Sequence, residues 1–145
     1  MVPDWAIIRN QAGIASSYHQ LGMLAQLRGD YDEAARQYQR SLDIEERIGN
    51  QAGMATTCSQ LGILEAEQGG SAALAIDWDV KALAIRLRLG VPQAVNNLRR
   101  LPAQRRDLGP EPFTGLLTQA AGNISLAETI LSLLDQMQSA NDSGT

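Results

Sequence analysis

The chain has 145 residues, 44% of them hydrophobic and only 4% aromatic, with a formal net charge of −4. That is one domain's worth of sequence, and its wealth of Ala, Leu and Gln favours helices over strands. A single cysteine, Cys58, excludes an intramolecular disulfide and a cysteine-only metal site, and no apolar run approaches the roughly 18 residues of a membrane-spanning helix. With no secretory pattern near Met1, the chain reads as a cytoplasmic protein without membrane contact.

Self-comparison organises the rest. "QAGIASSYHQLG" from Gln11 returns as "QAGMATTCSQLG" from Gln51, and Leu21, Leu61 and Leu101 share one forty-residue lattice with Gly29, Gly69 and Gly109. The second half of the unit, "SLDIEERIG" ending at Gly49, returns as "ALAIRLRLG" ending at Gly90, an offset of 41. One extra residue has therefore entered the second copy.

In chain order, residues 1–10 read as a remnant of a preceding second helix with its first part missing, or as an N-terminal extension. This predicts either a piece of a longer array or an edge that another copy of the chain covers. Ile14, Tyr18, Leu21 and Ala25 then form one helical stripe, predicting a helix over 11–28, with Gly13 and Gly53 marking the turns between units. Asp30 and Glu33 read as an N-cap and its capping-box partner for a helix over 31–48, which Gly49 ends. Further helices are predicted over 51–68, 71–89 and 93–107. The extra residue is expected between Trp78 and Leu83, as a local π-bulge; a lengthened turn at Gly69-Gly70-Ser71 is the alternative.

Gly109-Pro-Glu-Pro112 breaks the chain. Phe113, Leu116, Leu117 and Ala120 make a short amphipathic helix, and a last helix over 124–138 is apolar on more than one stripe. Residues 110–138 are thus expected to cap the stack, and 139–145 to form a disordered tail.

The pattern resembles the tetratricopeptide repeat, in the forty-residue variety of kinesin light chains and of bacterial signalling proteins with NB-ARC modules. The residues that carry it are Tyr18, Leu21, Gly22, Ala34 and Tyr38 in the first unit (11–50). In the second (51–90) they are Cys58, Leu61, Gly62 and Trp78, with Leu74 where a small residue is usual. In a degenerate third (91–109), Leu98 and Leu101 fit and Pro102 replaces the glycine. The resemblance implies an all-α superhelix of about two and a half helical hairpins, in which Gly22 and Gly62 let helices approach closely.

It also implies a binding function. First helices of such arrays line a concave groove for a peptide or protein, and the corresponding positions here are Ser16, His19, Gln20, Met23 and Gln26 in the first unit. The second supplies Thr56, Ser59, Gln60, Ile63 and Glu67, and the third Asn96, Arg99, Arg100 and Arg106. The charge is segregated: residues 81–106 hold seven basic side chains and no acid, whereas 1–80 hold 5 basic and 11 acidic ones. Arginines hold carboxylates bidentately, so an acidic segment docking near Arg99 and Arg100 is the sharpest expectation. The positive block is short and lacks aromatics, which argues against nucleic acid.

The residues give no sign of catalysis, metal or cofactor. His19 and Cys58 are the only such pair, with no oxyanion site or orienting group, and Cys58 falls at a packing position. Glu45-Glu46 and Asp30/Asp32/Glu33 read as solvated or capping acids. Two further readings are a self-association module, through the first or last helix, and a sensor arm of a larger ATPase or protease.

Overall fold

The computed structural model describes residues 2–144, and among them the chain folds into seven helices and no strand. The first hairpin is α1 (Asp4–Leu27) with α2 (Tyr31–Ile48), and the second α3 (Gln51–Glu67) with α4 (Ala72–Leu89). The third is α5 (Ala94–Leu108) with the shorter α6 (Pro110–Ala121), and α7 (Ile124–Ser143) packs across both of its helices. The all-α superhelical stack expected from the repeat is the architecture observed.

Local chemistry sets the boundaries. Gly49 (φ 71°) and Gly90 (φ 67°) end α2 and α4 in the left-handed conformation, where any Cβ is strained. Asp30, Asn50, Ser71 and Asn123 each accept an amide hydrogen from three residues on, satisfying one orphan donor at the starts of α2, α3, α4 and α7.

Four expectations are corrected. Of the two readings of residues 1–10, the remnant of another helix gives way to the extension, since residues 4–10 are the first turns of α1: Arg9-Asn10 stand where Gly49-Asn50 break the chain forty residues on, and without the glycine the helix runs through. Gly13 accordingly lies inside α1 with open space around it, and Gly53 lies inside the first turn of α3. Residues 139–143 extend α7, supported by Gln138 Nε2 donating to Asp142 Oδ1 at 3.2 Å.

The fourth correction fixes the register of α4, which is α-helical throughout with no π-bulge; the extra residue lies in the turn at Gly70-Ser71. The 41-residue offset therefore applies to the whole of α4. Ala75, not Leu74, answers to Ala34, and Asp79, not Trp78, answers to Tyr38. A Cβ on Gly22 would sit 2.7 Å from the Tyr38 ring, and one on Gly62 would sit 3.1 Å from Asp79 Oδ1. The two glycines are close-approach positions, as the resemblance implies, but against an aromatic in one unit and a carboxylate in the other.

Two apolar clusters meet at α4. Ala25, Tyr38, Leu42, Cys58, Leu61 and Leu64 pack with Ala82 and Ile85 of α4. Its Ile76, Val80 and Leu83 pack instead with Leu98, Leu101, Phe113, Leu117, Ile130 and Leu134. The predicted excess of apolar surface on α7 is explained by this second cluster, which α7 enters through Ala127, Ile130 and Leu134, with Leu126, Leu131, Leu133 and Met137 partly covered.

Candidate functional site

The first helices α1, α3 and α5 are neighbours, and the fourteen predicted groove residues all lie on them. Ser16, Gln20, Met23, Thr56, Glu67, Asn96, Arg99 and Arg106 are exposed; His19, Gln26, Gln60, Ile63 and Arg100 are half-buried. Ser59 departs from the expectation, being buried beneath arginines. Gln26 ties three helices together: it donates to Glu67 at 2.9 Å and accepts from the Tyr38 hydroxyl at 2.6 Å.

The junction between the first two hairpins holds a buried polar chain. Thr57 Oγ1 donates to Glu45 Oε1 at 2.7 Å, and Ser41 Oγ donates to the same oxygen at 2.5 Å, with the Ala15 carbonyl 2.8 Å from that hydroxyl. Thr57 has one hydroxyl proton and gives it to Glu45, so His19 Nδ1, 3.3 Å away, must be the donor to Thr57. Glu45 is 3% exposed, which corrects its reading as a solvated acid. Helix geometry explains the difference: Glu45 shares the inner stripe of α2 with Tyr38, Ser41 and Leu42, whereas Glu46 points outward.

Burial lowers the His19 pKa below 6.5, outweighing the upward pull of Glu45. The unfolded chain therefore binds this proton more readily, so His19 leaves stability unchanged above pH 6.5 and subtracts from it as pH falls below that value. Thermal melts should show the wild-type chain losing more stability between pH 7 and 5.5 than His19→Gln. Equal slopes for the two would contradict the assignment.

The second junction is built at equivalent positions with the opposite charge. Arg86 of α4, 8% exposed, donates to Asn97 Oδ1 at 2.7 Å and to Ser59 Oγ at 3.1 Å. Burial first, then the nearby Arg100 charge, pulls the Arg86 guanidinium below its usual value. Asp79, 1% exposed, pairs with Arg100 and accepts from Asn97 at 3.3 Å and Gln104 at 3.4 Å. Arg100 is thus engaged inside the molecule. Arg99 and Arg106, one face of α5 seven residues apart, make no ion pair among the described residues.

Sequence reasoning missed Glu45, Asp79, Arg86 and Asn97. The available signal was the constant spacing of nineteen residues from cap to glycine, Asp30 to Gly49 and Ser71 to Gly90, which sets α4 in register with α2.

Cys58 packs in the apolar cluster while His19 turns to Thr57 and Tyr38. Burial above all pushes the Cys58 thiol up to about 11. At pH 7.5 its thiolate fraction is about a hundredfold below that of a free cysteine, before steric protection. Native chain should therefore react with a disulfide reagent at least that much more slowly than chain unfolded in guanidinium. Rapid native labelling would show the site to be open. Among the described residues no group of three His, Cys, Asp or Glu is placed to hold a metal, and no helix is long and apolar enough to cross a membrane.

Helical hairpins stacked one on the next define a helical-repeat scaffold. The sequence profile of the tetratricopeptide repeat matches residues 13–88, and the chain belongs to that family. No curated protein and no solved structure matches it. Tetratricopeptide repeats generally mediate protein–protein interaction as non-catalytic scaffolds.

Proposed function

We propose that this chain is a cytoplasmic, non-catalytic scaffold whose groove along α1, α3 and α5 binds an extended segment of a partner protein, with an acidic stretch at the α5 end. Its kinship to the forty-residue repeats of signalling proteins belongs to the same reading. The observation that carries it is the pair Arg99 and Arg106, exposed, uncompensated and on one face of α5 beside Asn96. Free guanidinium forks on a surface match carboxylates in geometry as well as charge. Arg100 supports the face from below through Asp79 and is not the residue to reverse, since a glutamate there would oppose a buried carboxylate.

The test is affinity capture from a cell extract with mass spectrometry, comparing wild type with Arg99→Glu/Arg106→Glu. The partner should be lost at least tenfold while the circular dichroism spectrum is unchanged. Undiminished capture would refute the acidic-end assignment.

One further reading has its own observation. Leu21 is 47% exposed although its repeat equivalent Leu61 is 6% exposed beneath α2, and Ile7, Ile14 and Leu24 lie open on the same side of the helix. No described helix covers that face of α1, which supports self-association. Sedimentation equilibrium on wild type and Leu21→Glu tests it: a monomer at all concentrations removes the reading.

A further inference from the structure

Glu45 and Arg86 stand 41 residues apart, the step that superposes α2 on α4, and each bonds the next first helix at equivalent places, Thr57 and Asn97. The arginine junction contains its own acid, Asp79. The glutamate junction contains no counter-charge: among the described residues no Lys or Arg pairs with Glu45. Its Oε1 is held by Thr57 and Ser41, but Oε2 is buried with no donor, pressed against Gly53, where a side chain would collide with it. The nearest base, His19, is held below its usual pKa and is neutral at pH 7. A buried carboxylate oxygen without a hydrogen bond is costly, and a native fold keeps few of them.

The same carboxylate lines a cavity of about 360 Å³ on the α1–α3 side of the groove, with Ser16, His19, Asn50 and Thr56 among its walls. We propose that this cavity receives one basic side chain, a lysine or arginine of the partner's segment, whose charge Glu45 neutralises. The inference rests on the groove reading and adds direction to it: the segment lies with its basic residue between α1 and α3 and its acidic residues over Arg99 and Arg106. Gly53 has its role here, leaving room for the carboxylate under the start of α3.

The test needs no partner. Amide NMR spectra of the full chain are titrated with methylguanidinium chloride and, separately, with methylammonium chloride, against sodium chloride at matched ionic strength. Saturable shifts at Gly53, Thr56 and Thr57 are expected with either cation, the stronger one naming the side chain, and at least tenfold weaker binding in Glu45→Gln. Should that variant fold poorly, Thr56→Trp, at an exposed position on the rim, replaces it and should also abolish the shifts. Shifts no greater than with sodium chloride, or undiminished in the variants, would overturn the cavity. Loss of capture in Arg99→Glu/Arg106→Glu bears on the acidic end alone, so the two proposals fail separately.

Discussion

Asp79→Ala is expected to destabilise the chain by about 3–5 kcal/mol, the usual cost of removing one partner from a buried ion pair. Asp79 is 1% exposed and, among the described residues, is the only acid paired at the junction of Arg86 and Arg100, so its loss leaves two guanidinium groups sharing one junction without compensation. Asn97 and Gln104 lose an acceptor in the same step. For a chain of this size that corresponds to a fall of roughly 10 °C in Tm. Urea denaturation measures it, and Asp79→Leu/Arg100→Met supplies the control: with both charges gone, the double variant should be the more stable of the two. A loss under 1 kcal/mol in Asp79→Ala would show the pair to be solvated.

Phe113→Ala is expected to cost a comparable 3–5 kcal/mol and to be felt unevenly along the chain. Phe113 is fully buried and seats α6 on α4 among Ile76, Val80, Leu101 and Ile130. The other cluster, from Ala25 to Ile85, contains no residue of α5, α6 or α7. In a stack where each unit touches only its neighbours, the damage stays local. Hydrogen exchange should therefore accelerate in α5, α6 and α7 well before α1 and α2. Uniform acceleration would mean that the clusters unfold as one.

The hairpins were legible because their punctuation is chemical: Gly49 and Gly90 can take a left-handed conformation that other residues resist, and Leu21, Leu61 and Leu101 keep step with it. The site was legible only on its exposed side. Arg99 and Arg106 announce themselves by charge, but Asp79 occupies the seat of an aromatic, and a carboxylate there makes sense only once Arg100 is seen reaching it from 21 residues away. Trp78 misled because a large aromatic lay one position from the true equivalent. Glu45 misled for the opposite reason, since an acid beside a second acid reads as surface until the inner stripe of α2 is known. Helix ends failed where a stop signal was absent, as at Arg9-Asn10 and in the last turn of α7.

The keying of one hairpin to the next by Glu45 with Thr57, and by Arg86 with Asn97, makes the modules non-interchangeable despite their near-identical lettering. A splice that duplicated the first hairpin in place of the second would set Glu45 against Asn97 and strip Arg100 of Asp79. Order along the array is thus written into its seams, and a consensus built by averaging the two copies would erase it.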